Sequence, residues 1–123
     1  EHELSEKAME DVRNFSLLVG EYIQLYNNKM FQPVTLEILD EAKSLESKIK
    51  KRRKKLNRAS MVRMSEPEPD LKMEILNIEI NNHLEKIGAF GHNIMHALYI
   101  MTNGEEHPDE IAAEVNKMNK TKQ

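Results

Sequence analysis

Residues 4–26 read LSEKAMEDVRNFSLLVGEYIQLY, and the placing of their apolar side chains decides the fold. Leu4, Ala8, Val12, Phe15, Val19, Tyr22 and Tyr26 follow one another at steps of three or four. Such steps put all seven on one face of a helix, as an amphipathic helix against a core requires. Ser5 offers a start to that helix and Asn27-Asn28 a stop.

The rule recurs downstream. Ile38, Ala42, Leu45, Ile49, Arg52, Leu56 and Ala59 alternate steps of four and three, the heptad spacing of a helix lying along a partner. Pro33 suits the entrance to this second helix. The linker Ser65-Glu66-Pro67-Glu68-Pro69-Asp70 closes it, because two prolines cannot continue a helix. A third periodic segment runs from about Leu71 to Asn103, with Met73, Leu76, Ile80, Ile87, Ile94, Leu98 and Met101 as its expected core face. Gly88 and Gly91 lie inside it. Each costs about 1 kcal/mol there relative to Ala, so each should have a packing or site reason. Asn103-Gly104 is a C-terminal stop. Beyond it, Ile111, Val115 and Met118 predict a short amphipathic helix followed by a frayed polar tail.

No segment alternates with period two for long enough to make a strand. The reading is therefore all-α: an up-down-up bundle of three helices over residues 1–104, with residues 105–123 as a short helix and tail. Short connections make neighbouring helices antiparallel. At 123 residues the chain has room for one domain. Without cysteine it has neither a disulfide framework nor a thiolate metal site. No apolar run approaches the roughly 20 residues needed to cross a membrane. Catalysis finds little support, since there is no Gly-rich phosphate loop and no nucleophile motif.

Two groups of residues carry candidate chemistry. On the third helix Glu85, Ala89, His92 and His96 share one stripe, expected to point away from the core. Glu85, His92 and His96 are a candidate surface for a divalent ion, and two histidines four apart can chelate one. On the second helix, residues 48–63 hold nine cations, from Lys48 to Arg63. Lys48, Lys51, Arg52, Lys54, Lys55 and Arg58 are the candidates for contact with anionic lipid headgroups or a partner, at about 1 kcal/mol per cation near a membrane surface. Nucleic acid is not expected: no aromatic side chains interleave with the cluster to stack on bases. The net charge of −3 gives no support to it either.

The third helix also carries a family resemblance. Leu84-Glu85-Lys86-Ile87-Gly88, followed by Asn93-Ile94, resembles the signature of the PhoU family of phosphate-signalling helical proteins. Asp40-Glu41-Ala42, Leu45-Glu46 and Ile49 resemble the acidic opening of that family's second helix. Tyr99-Ile100-Met101-Thr102-Asn103-Gly104-Glu105 resembles its closing segment. The resemblance implies one three-helix unit and a phosphate-related role. Single units of this kind form the cytoplasmic C-terminal part of sodium/phosphate cotransporter-related membrane proteins. The single-unit length, and the start at Glu1 rather than Met, fit such an excised domain.

The chain departs from the family at the metal cluster. Ala89 stands where a paired Asp belongs, and Phe90 where a His is usual. Loss of one hard oxygen ligand weakens a multinuclear site. No cofactor is expected, and at most one weakly held divalent ion through His92 and His96. The resulting expectation is a non-catalytic regulatory domain on the cytoplasmic side of the membrane. Its partners would be the membrane-embedded portion of the same polypeptide, an anionic lipid surface or a second copy. The rivals are a free-standing metal-binding helical protein and a generic helical dimerisation domain.

Overall fold

The computed structural model describes residues 5–104 and Lys117. Three helices account for nearly all of this: α1 (Glu6–Lys29), α2 (Leu36–Met64) and α3 (Leu71–Asn103). They pack against one another, and there is no strand among the described residues. The three-helix bundle expected from the periodicity is present. The expected short helix after Gly104 lies outside the described residues.

Each helix begins on a side-chain cap. Ser5 Oγ accepts from the Ala8 N–H at 3.1 Å, Thr35 Oγ1 from Ile38 at 3.2 Å, and Asp70 Oδ1 from Met73 at 3.2 Å. These satisfy donors that the first helical turn leaves without carbonyl partners. α3 ends on Gly104, whose φ of 73° is the left-handed conformation that glycine adopts without a Cβ penalty. Beside it, Asn103 Nδ2 donates to Val34 O at 3.0 Å and to Tyr99 O at 2.9 Å. This ties the end of α3 to the α1–α2 connection.

The first helix turns inward the face its periodicity predicts: Ala8, Phe15, Val19 and Tyr22 are buried, Val12 and Tyr26 are half-buried, and Leu4 lies outside the described residues. On α2 the buried set is Leu39, Ala42, Ile49, Leu56, Asn57 and Ser60. The expected face is thus rotated slightly. Ala42, Ile49 and Leu56 hold, whereas Arg52 is exposed.

α3 overturns the reading made from its hydrophobicity. Leu76, Ile80, Ile87, Ile94 and Met101, expected in the core, are exposed; Met73 and Leu98 are half-buried. The face turned inward is Glu74, Asn77, Asn81, Gly88, Gly91, Met95 and Tyr99. Two physical features make this stable. The buried polar groups meet polar groups of α2, which removes most of the cost of burying them. The glycines let helices approach closely. A β-carbon on Gly88 would lie 3.0 Å from Ile49 Cδ1, and one on Gly91 would lie 2.8 Å from Tyr22 Cε1.

Candidate functional site

The α2–α3 interface is a polar ladder. At one end Arg63 Nε donates to Glu74 Oε2 at 2.7 Å and to Oε1 at 3.1 Å. Its other guanidinium arm donates to Ser60 Oγ at 3.0 Å, and Asn77 Nδ2 donates to the same hydroxyl at 2.8 Å. One turn on, Asn81 Nδ2 donates to Asn57 Oδ1 at 3.1 Å, while Asn57 Nδ2 donates to Asn82 Oδ1 at 2.9 Å. Arg53 then pairs with Glu85, and His92 Nδ1 lies 3.3 Å from Glu46 Oε2. Partners descend α2 as they ascend α3, so these two helices run antiparallel. The charge-assisted bond that Arg63 donates to Glu74 holds its guanidinium above its ordinary pKa.

The stripe expected to face away from the bundle therefore faces α2. Glu85 is engaged by Arg53 and is only partly exposed. His92 and His96 are brought together, their rings parallel within 2° at 6.4 Å between centroids. Glu85 lies two helical turns from His92 and does not join them. Among the described residues there is no group of three His, Cys, Asp or Glu side chains disposed to hold a metal ion.

Tyr22 forms the floor beneath this end of the ladder. It is fully buried, its hydroxyl has no hydrogen-bond partner, and its ring touches the Gly91 position. Burial pushes the Tyr22 phenol above its ordinary pKa, and the Glu46 carboxylate and Tyr26 push in the same direction.

The structure sorts the cations of α2 into two roles. Arg53 and Arg63 turn to α3, and Lys50 pairs with Glu46 one turn away at 3.2 Å. Lys48, Lys51, Arg52, Lys54, Lys55 and Arg58 are all exposed. At 100° per residue these six fall within an arc of about 160° on the side of α2 opposite Ala42 and Ile49, over about 15 Å of helix. No Asp or Glu occurs between residues 47 and 65 to interrupt them. Val62, 57% exposed, extends the same face toward the helix end. The arrangement is a compact positive surface on a rigid element. It can bind a multiply charged anionic surface.

Residue type does not separate the inward Arg53 and Arg63 from the outward cations, which include Arg52 and Arg58. The signal that could have found them is spacing. Glu46, Arg53, Asn57 and Ser60 recur at steps of seven, four and three, as do Glu74, Asn77, Asn81 and Glu85 at three and four. Polar side chains can follow a core period just as apolar ones do.

No family model matches the chain, and neither does any curated protein or solved structure. No helix among the described residues is long and apolar enough to cross a membrane.

Proposed function

We propose that this chain is a non-catalytic regulatory domain that docks on the anionic surface of a membrane through the outward face of α2. The observation that carries the proposal is the sorting of the basic run. Six cations share one exposed arc, while the arginines between and beyond them are used by the bundle. At about 1 kcal/mol per cation near an anionic surface, six are ample for reversible docking even when only part of the face engages. The exposed Val62 and Met61 add a small apolar component at one end.

The setting is the one the PhoU resemblance implies. The domain belongs to a sodium/phosphate cotransporter-related membrane protein, sits on the cytoplasmic side, and acts on transport through helix-surface contacts. What supports this reading is the three-helix architecture, which the resemblance implies. An up-down-up order is part of it. It is supported by Ser5 lying near Glu74 at one end and Tyr22 lying against Gly91 further along.

The test is sedimentation with vesicles of phosphatidylcholine containing phosphatidylserine. Binding is expected at low ionic strength, falling steeply as the Debye length shrinks from about 30 Å at 0.01 M to about 8 Å at 0.15 M salt. No binding at low salt, or binding indifferent to salt, rejects the proposal.

A further inference from the structure

The side chains that α3 turns outward form a regular seam, apolar except at His83. Met73, Leu76, Ile80, His83, Ile87, Phe90, Ile94, Ala97 and Met101 follow one another at strictly alternating steps of three and four. This is an unbroken 3.5-residue repeat over four heptads, the period of a helix packed along another helix in a left-handed coil. All but the half-buried Met73 are exposed: Phe90 by 65%, Leu76 and Ile80 by 41%, Met101 by 81%. The polar face of the same helix is already used by α2. No charged residue occupies the seam, and Glu79 and Lys86 stand along one edge.

From this we infer that α3 is the interface of a homodimer, seam to seam with a second copy of the chain. The area fits. The seam exposes on the order of 600–700 Å² per copy, so complete coverage of both seams would bury at most about 1,300 Å², the low end of the range of specific interfaces. The seam is also self-complementary in the antiparallel sense. With Ile87 of each copy beside Phe90 of the other, Leu76 meets Met101, Ile80 meets Ala97 and His83 meets Ile94. Each pairing sets a bulky side chain against a smaller or more pliable one. Shifting this alignment by one heptad toward the N-terminus would set the two Lys86 side chains against each other, and like charges across a helix pair are unfavourable. The inference goes beyond the membrane reading and does not depend on it, since the cations lie on α2.

The test uses the whole chain. Sedimentation equilibrium is expected to show a concentration-dependent dimer. Phe90→Asp, at a side chain that contributes little to the bundle, is expected to weaken that dimer by more than about tenfold while the helical circular dichroism stays unchanged. Leu76→Cys combined with Met101→Cys adds a positional readout, because the chain has no other cysteine. The two sites lie about 37 Å apart along one helix and cannot bridge within a chain. Oxidation is therefore expected to give a covalent dimer. A monomer at every concentration, or a dimer indifferent to Phe90→Asp, overturns the inference. A dimer whose cysteines do not join overturns the antiparallel alignment.

Discussion

Gly91 of α3 and Tyr22 of α1 approach so closely that a single added methyl group would force one of them to shift. A β-carbon on Gly91 would stand 2.8 Å from Tyr22 Cε1 and 3.1 Å from Tyr26 Cδ1. Tyr22 is fully buried, so its ring has no open side to move to. Gly91→Ala should therefore lower stability by about 1–3 kcal/mol, despite the helix propensity it gains. Gly20→Ala is the control, because nothing lies within 4 Å of its added carbon. In the interior of α1 it should raise stability by roughly 0.5–1 kcal/mol. Urea midpoints moving in opposite directions for the two variants check both statements.

The polar ladder predicts a second asymmetry. Arg63→Ala leaves Glu74, only 6% exposed, with its charge uncompensated, and should cost about 3 kcal/mol. Replacing both partners, Arg63→Met with Glu74→Leu, should cost much less, because no stranded charge remains. A double variant as unstable as the single one would show that the pair contributes more than mutual neutralisation.

Tyr22 predicts the alkaline limb of the stability curve. Its phenol is held above the ordinary value of 10.0 by burial first and by Glu46 second. The folded state thus keeps the proton more tightly than the unfolded chain does. Its contribution is complete below about pH 10 and is lost as pH rises from there toward the folded-state pKa. Tyr22→Phe should flatten that fall. At neutral pH it should change stability by less than about 1 kcal/mol, since the hydroxyl it removes has no partner. A variant with an unchanged alkaline slope would assign the fall to other groups.

The two faces of α3 are separable by two truncations. Met95→Ala, at a fully buried site, should cost about 2–5 kcal/mol. Ile87, 38% exposed, should cost less than about 1.5 kcal/mol as Ile87→Ala when measured in dilute protein. Equal costs would restore the face that hydrophobicity alone assigns.

How much of this was legible in the sequence differs from helix to helix. α1 is largely legible because its apolar period and its core face coincide: spacing picks out Ala8, Phe15, Val19 and Tyr22, and all four are buried. The caps Ser5 and Gly104 were legible because their chemistry is local. α3 misled because it carries two helical stripes. The more hydrophobic one, through Ile80, Ile87 and Ile94, is exposed. The core stripe through Asn77, Asn81 and Gly88 looks like a surface until α2 supplies Ser60, Asn57 and Ile49 opposite it. That information is tertiary. Gly88 and Gly91 were the local clue, since glycines in mid-helix mark close approach, and they lie on the true inner face. The candidate site divides in the same way. The six outward cations follow from the run itself, whereas the pairing of Glu85 with Arg53 depends on which helix faces α3.

The membrane account stands most directly on one comparison. Lys51→Gln with Lys55→Gln removes two cations from the exposed arc of α2 and touches none of the ladder. At about 1 kcal/mol each, the pair should weaken binding to phosphatidylserine-containing vesicles roughly 30-fold at low salt. Lys72→Gln, at an exposed cation of α3, should leave it nearly unchanged. A double variant that binds as tightly as the parent, or an effect of Lys72→Gln equally large, would contradict the claim that the outward face of α2 is the docking surface.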